Sequence, residues 1–261
     1  MIPSAWAIRP PADVGLFPRL AGRKRKPRRG RTWLRGVLAA AFLLLIADGI
    51  YLARIWPDWE PLARGAIPKS RFIHRYEAAR AQDPALPPLR WRPVSLARIA
   101  PVMRRVVVVA EDSRFWRHAG VDTVALRGAM EYNLEHGRVA YGASTISQQT
   151  AKNLFLSDAR DPLRKWHELL LTLAMERKLR KARILEIYLN VAEFGPGVFG
   201  VEAAARLYFG VTAAELAPDQ AVSLAASLPS PKLHNPATAT RTWEKRRERI
   251  GRHLTTLGRR S

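Results

Sequence analysis

Apolar and polar positions divide this chain into three regimes. From Gly36 to Ala53 the run GVLAAAFLLLIADGIYLA is nearly unbroken, and Asp48 is its only charge. Roughly 20 apolar residues span a bilayer as a helix, so the run predicts one membrane crossing over 36–56, with Trp33, Tyr51 and Trp56 near the interfaces. From 57 to 94 the prolines at 57, 61, 68, 84, 87, 88 and 93 interrupt any helical period. That stretch predicts a connector, on which Tyr76, Trp91 and Val94 are available for packing. From Leu96 the pattern turns helical and stays so.

ARIAPVMRRVVVVAEDSRFWRH predicts two helices split at Pro101, although RRVVVV also reads as a buried strand. LRKWHELLLTLAMERKLRKARILEIYLNVAEF is a long helical stretch, apolar at Leu169, Leu173 and Met175. DQAVSLAASLPS predicts a helix stopped by Pro229. TWEKRRERIGRHLTTLG sets Trp243, Ile250, Leu254 and Leu257 on one side and arginines on the other. Period-2 strands are nearly absent and there are no repeats. The expected fold is one mainly α domain over 95–258, on a single N-terminal transmembrane helix preceded by a basic tail, 1–35.

Charge sharpens this picture. Lys and Arg total 44 against 22 for Asp and Glu, a formal net charge of +22, which calls for an anionic partner: nucleic acid, anionic lipid or a phosphorylated substrate. RKRKPRRGR, Arg23 to Arg31, directly abuts the apolar run. By the positive-inside rule that block stays cytoplasmic, and everything after Trp56 lies outside the cytoplasm. The membrane explains the block better than a nucleic-acid reading does. A cleaved signal peptide fits poorly, because the run is long, begins late and lacks a small-x-small cleavage site. With no cysteine, disulfides, Cys-ligated zinc and thiol catalysis are excluded.

Four stretches carry candidate chemistry. AEDSRFWRHAGVD follows the valine run; if helical, it stacks Glu111, Phe115 and His118 at i, i+4 and i+7, with Gly120 ending the turn. The plain reading is an acid pair stabilising a helix N-terminus; the other is that Glu111 is a base. In YGASTISQQTAKNLFL, Ser144 or Thr145 can cap a helix, on which Thr145, Gln149 and Lys152 share one side. That strip suits a polar, anionic ligand, or is an ordinary solvated face. In DARDPLRKWHE, Arg160, Arg164 and Lys165 precede Glu168, either as a phosphate cradle with an acid inside it or as a surface i, i+4 pair. ARILEIYLNVAEFGPGVFGVEAAARLYFG, with Glu186 and Asn190 at i, i+4, reads mainly as scaffold. No G-K-[ST] occurs, and the stretch is read neither as a Walker loop nor as a Rossmann fingerprint.

Taken in order, EDSRFWRHAGVD, GASTISQQTAKN, RKWHE, RILEIYLN and GVEAAARLYFG resemble the five motifs of the peptidoglycan glycosyltransferases, glycosyltransferase family 51, over roughly residues 95 to 240. Ala143 stands where that family often has a second glycine. The resemblance implies a lysozyme-like, mostly helical domain at the outer face of a bacterial inner membrane. Its implied reaction polymerises lipid II into glycan strands and releases undecaprenyl diphosphate. It implies Glu111 as general base and Glu168 as second essential acid. Asp112, Phe115, His118, Ser144, Thr145, Gln148, Gln149, Lys152, Asn153, Arg160, Arg164 and Lys165 complete the substrate site. A divalent metal such as Mg2+ is the cofactor to consider, with Glu168 its candidate ligand; no organic cofactor is expected. Expected partners are lipid II, the growing strand, inner-membrane lipids and cell-division or elongation proteins, without nucleic acid. Only a short tail follows Pro236 and neither S-x-x-K nor K-T-G occurs, so the monofunctional type, without transpeptidase activity, is expected.

The implied chemistry suits these residues. An α-linked diphosphate donor and a β-1,4 product require inversion in one displacement. That needs a base on the acceptor 4-hydroxyl and positive charge on a leaving group that is already good. The alternatives are a lysozyme-like hydrolase or lytic transglycosylase, which needs no diphosphate cradle, and a non-enzymatic cell-wall scaffold.

Overall fold

The computed structural model describes residues 29–137, 144–158 and 161–258. The first helix, α1 (Arg29–Ile55), contains Trp33–Ile55, a 23-residue stretch apolar enough to cross a membrane. At the usual helical rise this stretch is about 34 Å long, against a hydrocarbon core of about 30 Å. Leu38, Phe42, Leu43, Leu44 and Leu45 are all exposed on it. Met1–Tyr51 and Leu52–Ser261 form separate compact units, and the second carries everything described below.

Part of the stretch read as a connector is folded into that second unit. Asp58 caps α2 (Trp59–Arg64), and Ser70 caps α3 (Arg71–Gln82) by accepting from Ile73 N–H. Trp59, Leu62 and Ile73 are buried. Arg183 donates to the carbonyls of Leu62 and Gly65 at 2.8 and 2.6 Å, and Arg75 forks onto Asp158. Strand β1 (Arg90–Trp91) follows, and a 3-10 turn over Leu96–Arg98 leads to α4 (Pro101–Glu111). Pro101 sits at the helix start, where its missing N–H costs nothing. The valine run is therefore helix, not strand. Met103, Val106 and Val107 fall at i, i+3 and i+4 and are fully buried, and that burial outweighs the few tenths of a kcal/mol by which each valine disfavours a helix.

Next come α5 (Thr123–Glu135), capped by Asp122, and α6 (Ile146–Phe155), capped by Thr145 in a reciprocal pair with Gln148. The long helical stretch is two helices, α7 (Pro162–Lys178) and α8 (Lys181–Val191). Asn190 and Glu186 serve as scaffold: Asn190 bonds both backbone groups of Val94, and Glu186 accepts from Leu96 N–H. Strands β2 (Glu193–Gly195) and β3 (Val198–Phe199) join β1 in the order β1-β3-β2, with β1 parallel and β2 antiparallel to β3. Gly200, at φ 83°, turns the chain into α9 (Val201–Phe209), and a Cβ there would stand 2.8 Å from the Asn190 carbonyl oxygen. Helices α10 (Pro218–Ser227) and α11 (Arg241–Gly258) complete the unit. Helix α4 packs on both of them, and α6 packs on α7 and α8. The mainly α expectation holds.

Glu193 opens β2 in an unfavourable setting. Burial pushes its carboxyl from 4.5 up to about 7, against Lys232 and the Gly197 N–H, which favour the anion. Its Oε1 is buried without a hydrogen-bond partner among the described residues. The folded chain therefore holds a proton that the unfolded chain releases, so stability falls as pH rises from about 4.5 to about 7, by on the order of 3 kcal/mol. Glu193→Gln should melt increasingly above the parent as pH moves from 5 to 8 in detergent. A difference in melting temperature that stays constant over that range would contradict this assignment.

Candidate active site

Glu111 is the last residue of α4, so the N-terminal-acid reading of this pair fails. Carbonyl oxygens point outward at a helix C-terminus, and a negative charge there is disfavoured by roughly 0.3–1 kcal/mol. Two partners compensate. Arg246 Nη2 of α11 lies 2.5 Å from Glu111 Oε1, and Gln149 Nε2 of α6 donates to Oε2 at 2.8 Å. Gln149 Oε1 in turn accepts from the Tyr188 hydroxyl of α8 at 3.1 Å. Burial, and then the Glu111 charge, push the Tyr188 phenol well above its usual range, so it stays a donor.

Phe115 and His118 do not share a helical face with Glu111. The helix ends, Asp112 turns to φ −160°, and Phe115–Arg117 form a separate 3-10 turn. Phe115 is fully buried, with Lys181 Nζ 4.3 Å above its ring. His118 Nε2 meets both oxygens of Asp112 at 2.9 and 3.0 Å, and Asp112 Oδ2 also accepts from Ile146 N–H at 3.0 Å. Thr145 donates to the Gly120 carbonyl at 2.6 Å. Asp112, Phe115, His118 and Thr145 therefore form the bracket that seats Glu111 opposite α6. Asp122 joins Asp112 and His118 within 4.8 Å. Yet it caps α5 through Val124 and Ala125 N–H and faces Arg114, so this trio reads as a structural bracket.

On α6, Thr145, Gln148 and Asn153 are buried, while Gln149 and Lys152 are partly exposed. The polar strip is thus split between framework and site. Burial lowers the Lys152 ammonium pKa; Glu168 opposes this, Arg164 and Lys165 add to it, and Glu111 opposes it again. Lys152 stands within the field of both acids.

Glu168, 2% exposed, is no surface ion pair. Arg164 Nη1 donates to its Oε2 at 2.6 Å, and Lys165 bonds Oε1. Asp161 caps α7 at Arg164 N–H, which sets both cations in the first turn. Lys165 also reaches Ser144 Oγ at 3.5 Å. A cavity of about 600 Å³ shares Ser144, Gln148 and Lys165 with apolar Val121, Leu126 and Trp166. Arg160 lies outside the described residues, as does Ala143. A divalent cation needs open carboxylate oxygens. Glu168 is buried, each of its oxygens is bonded to a cation and Lys152 is near, so a divalent cation there would meet three positive side chains, and these residues do not suit one.

Tyr188 and Arg246 escaped the sequence reading. Tyr188 sits inside RILEIYLN, whose polar residues drew attention to Glu186 and Asn190. Arg246 is one of several cations on α11, and only its spacing from Trp243 and Ile250, i+3 and i−4, marks the inward side.

Residues 86–255 match the family model described as Transglycosylase. The chain is 41% identical over 224 residues to the biosynthetic peptidoglycan transglycosylase of Laribacter hongkongensis, covering 85% of this chain and 96% of the relative. It is 43% identical over 208 residues to that of Nitrosomonas eutropha, covering 78% and 82%. It is 40% identical over 225 residues to that of Thiobacillus denitrificans, covering 85% and 94%.

The bracket carries a stability prediction. Asp112→Asn removes the charge that His118 and Ile146 N–H share, and a hydrogen bond to a charged group contributes about 1.5–3 kcal/mol. Denaturant unfolding should show a loss of that size. Unchanged stability would mean that the join between α4 and α6 is held elsewhere.

Proposed function

The chain belongs to the transglycosylase family, and from that premise we infer that it is a peptidoglycan glycosyltransferase of cell-wall synthesis that polymerises lipid II. Its helical unit is the lysozyme-like domain of that family. In the proposed reaction Glu111 takes the proton of the acceptor 4-hydroxyl. The freed oxygen lone pair attacks C1 of the donor sugar, and the C1–oxygen bond to diphosphate breaks. The β-1,4 link forms with inversion, and undecaprenyl diphosphate leaves onto Lys152, Arg164 and Lys165. A preorganised cation cluster stabilises charge that develops at the leaving oxygen without having to reorient.

One observation carries this reading: the two acids sit in opposite settings. Glu168 is closed between Arg164 and Lys165, which suits holding cations in place for diphosphate. Glu111 has one guanidinium and one amide, and its remaining lone pairs can receive a hydroxyl proton. A retaining hydrolase needs its second carboxylate free as a nucleophile, and Glu168 is not free. The apolar helix α1 supports an anchor that keeps the domain with a polyprenyl-linked substrate. The block RKRKPRRGR supports an N-terminus on the cytoplasmic side of the inner membrane.

Glu111→Gln keeps size and hydrogen-bonding reach but removes the base. Single-turnover coupling of labelled lipid II should fall at least about 10²-fold, while moenomycin, a phosphoglycolipid that mimics the donor strand, still binds. A folded Glu111→Gln enzyme with nearly full activity would overturn the base assignment. A reporter fused after Ser261 should be active only outside the cytoplasm; cytoplasmic activity would reverse the proposed topology.

A further inference from the structure

Helix α11 is more than a closing strap. Trp243 and Ile250 are buried, and Trp243 Nε1 donates to the Ser223 carbonyl and Ser227 Oγ of α10 at 3.1 and 3.2 Å. Those contacts fix the register of α11, and α11 packs directly on α4. Arg246 lies between the two anchors, one turn from each. Lys245, Arg247 and Arg249 are exposed, whereas Arg246 is largely buried. It reaches Glu111 across 135 residues of sequence.

The cost of that placement is visible. Burial lowers the Arg246 pKa, Glu111 opposes this, and neighbouring Arg249 adds to it. Its Nε is buried with no hydrogen-bond partner among the described residues. A guanidinium held this way by one carboxylate contributes little net stability, so stability alone does not account for it. What it does provide is geometric. A glutamate side chain has three torsions, and a general base must sit within about 2.6–3.2 Å of the atom whose proton it takes. At the C-terminus of α4 the helix field would also push an unpaired carboxylate outward.

We propose that Arg246 is a positioning residue for Glu111: it neutralises the helix field and, with the Tyr188–Gln149 relay on the opposite oxygen, holds the carboxylate in the orientation that receives the acceptor proton. This rests on the reading of Glu111 as the base. Each carboxylate oxygen has two lone pairs, so one stays open on each while Arg246 and Gln149 occupy the others. The role belongs to the C-terminal helix, outside the stretches that carry the candidate acids.

The test uses the full-length enzyme in detergent with lipid II. Arg246→Ala should lower kcat by about 10²-fold, the size of effect expected when a reacting group is misplaced by about 1 Å. KM for lipid II should change little. Millimolar guanidinium should restore part of kcat, and Arg246→Lys should retain more activity than Arg246→Ala. Arg249→Ala, which removes a neighbouring charge from the same helix, should leave kcat near the parent. The proposal is overturned if Arg246→Ala keeps its kcat. It is equally overturned if the defect lies in KM, which would make Arg246 a substrate contact. A loss of kcat that neither guanidinium nor lysine relieves, together with a lowered melting temperature, would make it only a structural strut. A fully active Glu111→Gln would remove the base reading itself, whatever Arg246 does.

Discussion

The Asp112 carboxylate terminates one helix and starts another. It follows the last residue of α4, accepts from the first N–H of α6 and holds His118. Because Asp112 is pinned to the α6 N-terminus, its neighbour Glu111 faces the same helix one turn further on, where Gln149 waits. Thr145, tied to the Gly120 carbonyl, closes the loop between these elements. Gly120 itself has φ 100°, and a Cβ there would meet the Thr172 methyl at 3.0 Å. The position of the Glu111 carboxylate thus depends on a join made almost entirely of buried polar groups. In a low-dielectric interior such a network is favourable only when every member is satisfied.

From that join the site divides by charge. Glu168 neutralises Arg164 and Lys165 and is shielded by them, so in this setting it organises cations. Glu111 is paired by one guanidinium arriving from the far end of the chain. Lys152 lies between and is influenced by both acids. A diphosphate entering here would meet several cations at fixed separation from a carboxylate that can accept a proton. In the proposed reaction the two requirements of an inverting displacement fall to different elements: α6 and α7 for the leaving group, α4 with α11 for the proton.

Much of this was legible because it rests on local rules. The apolar run of α1, a cap at Ser144 or Thr145, the amphipathic α11 and the stop at Pro229 are short-range signals that the structure reproduces, the cap being Thr145. What stayed hidden was non-local. Helix α4 ends at Glu111, where Asp112 turns to bond Ile146 N–H, and periodicity alone does not show that the helix stops before His118. Two-residue strands such as Arg90–Trp91 are too short to show alternation, and their pairing partner lies over a hundred residues away. Prolines marked 57–94 as irregular, but Ser70 and Asp58 caps allow short helices between them, and Arg75 and Arg183 fasten these to the domain. Arg246 was concealed by its neighbours, since a charge run normally reads as a solvated face.

The most direct measurement of the division of labour between the two acids is a structure of the enzyme bound to a non-reactive lipid-linked donor and a disaccharide acceptor. This account predicts the acceptor 4-hydroxyl within about 3 Å of a Glu111 oxygen, with the diphosphate against Lys152, Arg164 and Lys165. Finding the 4-hydroxyl on Glu168, or the diphosphate beside Arg246 instead of those three cations, would contradict it.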